Sequence, residues 1–304
     1  MTTVIVGPTA VGKSSLALAI ARRFRAAGQA AEIINADSMQ VYRGMDIGTA
    51  KPTADERAEV PHHLLDLLDI TETATVAQFQ RLARTAIASC RARAVVPLVV
   101  GGSALYVRAI VDSFDFPGTD PEVRAELQGE LDHRGAPALH ERLARLDPEA
   151  AAAIEPGNGR RVVRALEVIA LTGRPFRAGL PPRHYLLPDV VQVGLRLDRV
   201  ALDQRIAERV EGMWAAGFVQ EVRRLARQGL RDGLTASRAL GYRQVLQFLD
   251  GEITEAEAQQ QTVTATRRFA RRQESWFRAD NRIQWVDATE QRRVEEAYAI
   301  SSAG

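Results

Sequence analysis

The sequence predicts an α/β protein: a parallel sheet with helices on both faces, interrupted by an all-helical insertion. Three observations predict it. Short apolar and β-branched runs, Val4-Ile5-Val6, Glu32-Ile33-Ile34-Asn35 and Val95 to Val100, are separated by stretches with helical spacing. That is the pattern of strands buried on both faces and joined by crossover helices. The first run ends in a glycine-rich turn that opens a helix. From about residue 115 to 185 the strand pattern disappears, and it resumes at Val190-Val191-Gln192-Val193-Gly194-Leu195.

The first strand leads into Gly7-Pro8-Thr9-Ala10-Val11-Gly12-Lys13-Ser14, a complete G-x-x-x-x-G-K-S. Leu16, Ala17, Ile20, Ala21 and Phe24 then fall on one side of a helix. Strand, loop and helix in this order make a P-loop and give the core a P-loop NTPase-like character. Glycines let backbone N–H groups turn inward around an anion, and the helix start adds the positive end of its dipole. Lys13 supplies a mobile charge, and the Ser14 hydroxyl can ligate Mg²⁺. Lysine occurs only at Lys13 and Lys51 in a chain that otherwise uses arginine. A compact ammonium suits a point contact to phosphate. The loop specifies a pyrophosphate but not its bearer, and a nucleoside triphosphate such as ATP is the generic reading.

Asp37 falls just past the second strand and Gly101-Gly102-Ser103 just past the third. Ligands of such sheets bind at the carboxyl ends of strands, so these segments and the P-loop can converge on one cleft. Asp37 there can be a Mg²⁺ ligand, a general base or a helix N-cap. Adjacent His62 and His63 have no further ligands nearby in sequence and read as structural. Phe116 to Pro121 is turn-rich, Glu122 to about Leu171 reads as consecutive helices, and Thr172 to Pro188 is a proline-rich loop. This divides the chain into a core of 1–114 and 186–304 and an insertion of 115–185. From Leu202 onward the chain reads as mostly helical.

Hydrophobic residues make up 46% and charged residues 26% of the 304, as in soluble proteins with a core. No apolar run approaches the ~20 residues of a membrane helix. The N-terminal residues carry no basic region of a signal peptide, so the expected location is cytoplasmic. A single cysteine, Cys90, excludes an internal disulfide and a cysteine-based zinc framework. The net charge of +2 does not by itself predict nucleic-acid binding. The arginines are grouped, however. Arg160, Arg161 and Arg164 open a helix of the insertion, which also carries Arg124. Arg238 and Arg243 flank Gly241-Tyr242, and Arg267, Arg268, Arg271 and Arg272 recur at helical spacing. Each group can be a solvated face or a phosphate contact. Trp276, Phe277 and Trp285 can stack on bases but read more readily as core.

Several strings together carry a resemblance over almost the whole chain. They are the P-loop, then Asn35-Ala36-Asp37-Ser38-Met39-Gln40-Val41-Tyr42-Arg43, Pro61-His62-His63-Leu64 and Gly101-Gly102-Ser103-Ala104-Leu105-Tyr106. Arg164 to Val168, Arg238-Ala239-Leu240-Gly241-Tyr242-Arg243 and Thr266 to Gln273 follow. In these the chain resembles the tRNA dimethylallyltransferases, also called tRNA isopentenyltransferases. The resemblance implies transfer of a dimethylallyl group from dimethylallyl diphosphate to N6 of the adenosine 3′ of the tRNA anticodon, with release of diphosphate. The P-loop, Gly7 to Ser14, then grips the prenyl diphosphate with Mg²⁺ at Ser14. Asp37 becomes the general base, Arg209 reaches the diphosphate, and Ser103 contacts the diphosphate or the reacting adenosine. Asp37, Ser38, Met39, Gln40 and Ser103 meet the extruded adenosine. Arg124, Arg160, Arg161, Arg164, Arg238, Gly241, Tyr242 and Arg243 hold the anticodon stem-loop of a monomeric enzyme. Ser103 stands where the family usually has threonine, and Ala104 where it has glycine. Rival readings are a small-molecule P-loop kinase or NTPase, an enzyme prenylating free adenine nucleotides, and a non-catalytic RNA-binding protein.

Overall fold

The structure, a computed structural model, describes residues 1–114, 116–176, 179 and 181–303. It divides into two compact units, Met1–Asp112 with Tyr185–Gly304, and Ser113–His184. Asp115, at which the sequence reading begins the insertion, lies outside the described residues.

In the first unit β1 (Thr2–Val6) runs through the P-loop into α1 (Lys13–Ala26), and β2 (Ala31–Asn35) follows. After α2 (Ala54–Glu59) come β3 (His62–His63), α3 (Val76–Ala92), β4 (Val96–Gly101) and α4 (Ala104–Val111). The chain returns from the second unit into β5 (Val190–Arg196). The second unit's own helices are α5 (Pro121–Leu146), α6 (Pro148–Ala152) and α7 (Gly159–Thr172). The first unit then continues with α8 (Arg199–Ala215), α9 (Phe218–Arg227), α10 (Tyr242–Leu249), α11 (Glu255–Arg278), β6 (Ile283–Asp287) and α12 (Arg293–Ser302).

The six strands are ordered β3-β2-β4-β1-β5-β6 and every pairing is parallel. Alternation along each strand supplies two cores. Val4, Val6, Ile34 and Val99 pack into one with Ile87, Ile110 and Phe218. Ile5, Ile33, Leu98 and Val100 pack into the other with Ile20, Phe24 and Ile206. Both faces are covered, as the near-continuous apolar runs predict. Each fully buried aliphatic side chain contributes on the order of 1.5–3 kcal/mol over an exposed one.

The mostly helical reading after Leu202 holds, with one strand that it did not include. Residues Ile283–Asp287 form β6, paired with β5 from Gln192↔Ile283 to Arg196↔Asp287. This edge strand carries polar Gln284 and Asp287 and lacks the run of buried residues that marked the central strands. β3 is two residues long, below the reach of any periodicity. Phe277 is buried, whereas Trp276 is exposed and Trp285 packs against Gly194.

In the second unit α5 bends at Gly135, whose φ is 79°, just before Pro137. Leu127, Leu139, Leu143, Val162, Val163 and Leu166 form its core. Glu167 is fully buried and accepts hydrogen bonds from Arg124 (2.7 Å) and Arg164 (2.7 Å).

The first unit's chain leaves at Asp112 and re-enters at Tyr185, and these two residues pair in an antiparallel bridge. Arg282 fixes both. It donates to the buried Asp112 carboxylate at 2.6 and 3.2 Å, and its guanidinium lies 4.1 Å from the centre of the Tyr185 ring. Arg108 adds a 2.9 Å hydrogen bond to Asp112.

Candidate active site

Register brings the loops together. Val6 pairs with Gly101, and Asn35 with Val100, so β1, β4 and β2 end at one edge of the sheet. The P-loop, the Gly101-Gly102-Ser103 turn and Asp37 leave from those three neighbouring ends. Gly12 turns the P-loop into α1 with φ 104°, a conformation that a side chain would strain. Ala10 also takes a left-handed φ of 65°, which costs an alanine about 1 kcal/mol.

Lys13 donates to Pro8 O at 2.8 Å, across the loop. Its side chain retains some accessible surface but is ringed by protein within the cleft. Burial, followed by the positive charge of Arg209, lowers its pKa to about 7, against the opposing pull of Asp37. Arg209, on α8, is itself lowered by burial, with Asp37 acting in the other direction. Lys13, Arg209 and the Asp37 carboxylate thus face each other in the cleft. Arg205, one turn earlier on α8, donates to Val11 O at 3.4 Å, a weak contact.

Asp37 is fixed by its own neighbourhood. Its N–H donates to Asn35 Oδ1 at 2.8 Å, and Asn35 Nδ2 donates to Asp37 O at 3.0 Å. Asp37 Oδ1 accepts the Met39 N–H at 2.8 Å. Turns, not a helix, follow, so the N-cap alternative does not hold. Ser103 precedes α4 without capping it through its hydroxyl. Ala104 opens α4 with an ordinary negative φ and packs against the core, so the methyl in place of the family glycine is accommodated.

Two cavities adjoin here. One of about 670 Å³ is lined by Lys13, Ser14, Asp37, Arg205 and Arg209. The other, of about 360 Å³, is lined by Ser38, Met39, Ser103, Met213, Phe218, Arg238 and Arg272. Their walls share Thr9, Asp37, Thr49, Arg209, Phe269 and Gln273. Asp37 therefore faces both.

Other expected residues fall in varied places. Gln40 donates to Thr49 O and Ala50 O, each at 3.2 Å, and lines the larger cavity. Gly241 lines the smaller one. Arg243 is exposed and lines neither cavity. Tyr242 is fully buried; its hydroxyl donates to Glu221 Oε1 at 2.5 Å and its ring meets Phe218 edge-on. Here its side chain builds the wall instead of offering a surface. In the second unit Arg124 and Arg164 are engaged by Glu167, and Arg164 also donates to Pro117 O and Gly118 O. Arg160 and Arg161 are exposed in the first turn of α7. Of the α11 arginines, Arg267 and Arg271 turn to Asp203 on α8, while Arg272 faces the smaller cavity.

Sequence reasoning missed the residues that hold the site's loops. Lys51, almost wholly buried, donates to Tyr42 O, Asp46 Oδ1 and Asp66 Oδ1 at 2.6–2.7 Å. Glu221 accepts the N–H groups of Asp46, Ile47 and Gly48 at 3.0, 2.8 and 3.3 Å. Gln273 on α11 is a third such residue. The rarity of lysine was the one available signal for Lys51. Outside the cleft, Glu32, His63 and Cys90 lie within 4.8 Å of one another. Arg93 covers both Glu32 oxygens at 2.7 Å, and burial followed by Glu32 pushes the Cys90 thiol up to about 11. The cluster is thus a closed hydrogen-bond network, consistent with the structural reading of the histidines.

The IPP transferase family matches residues 40–280 of this chain. The chain belongs to that family. It is 61% identical over 302 residues to the tRNA dimethylallyltransferase of Thermobifida fusca, covering 99% of this chain and 94% of that one. With that of Salinispora tropica it shares 59% over 297 residues, covering 97% and 91%. The crystal structure of the tRNA isopentenylpyrophosphate transferase from Bacillus halodurans matches with a TM-score of 0.72 at 39% identity, over 99% of this chain and 95% of that one. A eukaryotic dimethylallyltransferase acting on tRNA matches with a TM-score of 0.81 at 26% identity, over 99% and 76%. Family membership makes this chain a tRNA-modifying transferase on a parallel P-loop-like sheet. No helix among the described residues is long and apolar enough to cross a membrane.

Proposed function

We propose that this chain transfers the dimethylallyl group of dimethylallyl diphosphate to N6 of the adenosine 3′-adjacent to the anticodon of tRNA, releasing diphosphate. The carrying observation is the position of Asp37, in the shared wall of a P-loop cavity and a second cavity edged by Arg238 and Arg272.

In this reading the diphosphate lies in the larger cavity against the P-loop amides, Lys13 and Arg209. The extruded adenine enters the smaller one past Ser38 and Met39. The N6 lone pair forms the bond to the allylic carbon as the carbon–oxygen bond to diphosphate breaks. Asp37 accepts the N6 proton. Lys13 and Arg209 neutralise charge growing on the leaving group, and Ser103 orients the diphosphate or the adenosine. The oxygen donors fit Mg²⁺: Ser14 is exposed at the P-loop, and Mg²⁺ commonly binds through few protein ligands plus substrate phosphates. Bound there, Mg²⁺ would stabilise the developing diphosphate charge.

The helical insertion serves as the RNA-binding unit. Arg160 supports this, because a cation at a helix N-terminus opposes the dipole and gains from a phosphate partner. The protein acts as a cytoplasmic monomer. Radiolabelled dimethylallyl diphosphate with Mg²⁺ and unmodified tRNA, AMP or ATP tests the reading. Label entering tRNA alone is expected, whereas ATP hydrolysis without prenyl transfer would overturn it. Asp37→Ala should abolish transfer while tRNA still binds, and full activity would remove Asp37 as the base.

A further inference from the structure

Gln273 lies on α11, more than 260 residues along the chain from the P-loop, yet its side-chain amide sits inside the site. Its Oε1 accepts the Thr9 N–H at 2.9 Å, and its Nε2 donates to Gly102 O at 2.8 Å. The residue is 7% exposed and lines both cavities. No other hydrogen bond among the described residues joins the P-loop to the turn that carries Ser103 by way of a single side chain.

The packing around that amide is tight. A Cβ on Gly102 would lie 2.4 Å from Gln273 Nε2, and one on Gly101 would lie 2.4 Å from Ala36 O. Gly101 is required because the Ala36 backbone approaches it so closely, and a side chain at Gly102 would push the Gln273 amide out of its place. Four segments thus touch in series: Thr9, Gln273, the Gly101-Gly102-Ser103 turn, and Ala36 next to Asp37. Only a neutral amide satisfies both ends. It must accept from an N–H and donate to a carbonyl. A carboxylate would set oxygen against Gly102 O, and an aliphatic side chain would leave the buried carbonyl unpaired.

We infer that Gln273 is a positioning residue, fixing the Ser103 turn against the P-loop so that donor and acceptor cavities keep register across Asp37. This rests on the prenyl-transfer reading. Loss of the link should displace Ser103, and a misplacement on the order of 1 Å costs up to about 100-fold in rate.

The test measures single-turnover transfer of label from dimethylallyl diphosphate to tRNA for wild type, Gln273→Glu, Gln273→Met, Ser103→Ala and the Gln273→Met/Ser103→Ala double variant. Melting curves accompany each. Both Gln273 variants should lose between about tenfold and about 100-fold in rate while tRNA binding stays within about twofold. The double variant should be no slower than the slower single one, because both substitutions remove the same placement. Multiplying losses would overturn the inference, as would rates within about twofold of wild type. Failure of both Gln273 variants to fold would also overturn it, assigning the residue to stability alone. If wild type itself transfers no label to tRNA, the proposed function has failed instead.

Discussion

A prenyl diphosphate that binds at the P-loop above pH 8 is expected to bring a proton with it. In the free protein burial and Arg209 hold Lys13 at about 7. At pH 8.5 about 97% of Lys13 is then neutral, and at pH 6 about 10%, from the ordinary titration relation. A bound polyanion reverses the balance, because an opposite charge within a few ångströms favours the ammonium. Net uptake should therefore approach about one proton per site at pH 8.5 and fall to zero or turn to release toward pH 6, where Lys13 is already charged and the ligand's half-protonated terminal phosphate loses its proton on binding. The ligand cannot supply this signal, since a terminal phosphate ionises near pH 6 and is fully charged above 8. Neither can Arg209, which lies on the same cavity wall but stays charged throughout. Isothermal titration calorimetry in two buffers of different ionisation enthalpy gives the proton count directly. No uptake at pH 8.5, or uptake that does not shrink toward pH 6, would refute the assignment. The sign for stability follows the same shift. Folding lowers this pKa, so the unfolded chain holds more protons between about pH 7 and 10, and the Lys13 contribution rises with pH through that window.

Glu221→Ala should lower unfolding free energy by about 3 kcal/mol in urea titration, since three backbone N–H groups and the Tyr242 hydroxyl lose a buried acceptor. A loss below about 0.5 kcal/mol would mean that the 46–48 segment does not depend on it. Arg238→Ala should weaken tRNA binding and reduce the slope of log affinity against log salt by about one, as measured by filter binding, if the guanidinium meets a phosphate. An unchanged slope would remove Arg238 from the RNA contact.

The parts of the fold that could be read from sequence are those whose signal is local. Val4-Ile5-Val6 into Gly7 and Val95 to Val100 into Gly101 are apolar runs meeting obligatory turns, and they gave the strands and the site edge together. β6 and β3 escaped because an edge strand needs fewer buried residues and a two-residue strand has no period. The P-loop, Asp37, Ser103 and Arg209 come to the cleft because each sits at a strand end or on a helix facing it. Gln273, Glu221 and Lys51 were not legible as site supports. Gln273 and Glu221 act through hydrogen bonds to backbone atoms far away in sequence, and a backbone atom leaves no trace in residue type; Lys51 joins Tyr42 O to two aspartates whose pairing its residue type does not announce. Tyr242 shows the converse: its residue type suits stacking on RNA, but its buried hydroxyl is engaged by Glu221, while Arg124 and Arg164 pair with Glu167 and keep part of their side chains exposed.

The knot of Asp112, Tyr185 and Arg282 bears on how this architecture can vary. Because the outgoing and returning strands of chain are tied at one point of the first unit, the sheet experiences everything from 113 to 184 as a closed loop. The entropy of closing such a loop grows only logarithmically, and doubling its length costs about 0.6 kcal/mol. The excursion can therefore be lengthened, shortened or exchanged during evolution at almost no thermodynamic cost to the catalytic scaffold. A graft that keeps Asp112, Tyr185 and Arg282 and replaces the intervening residues with a short turn offers the same freedom to protein engineering.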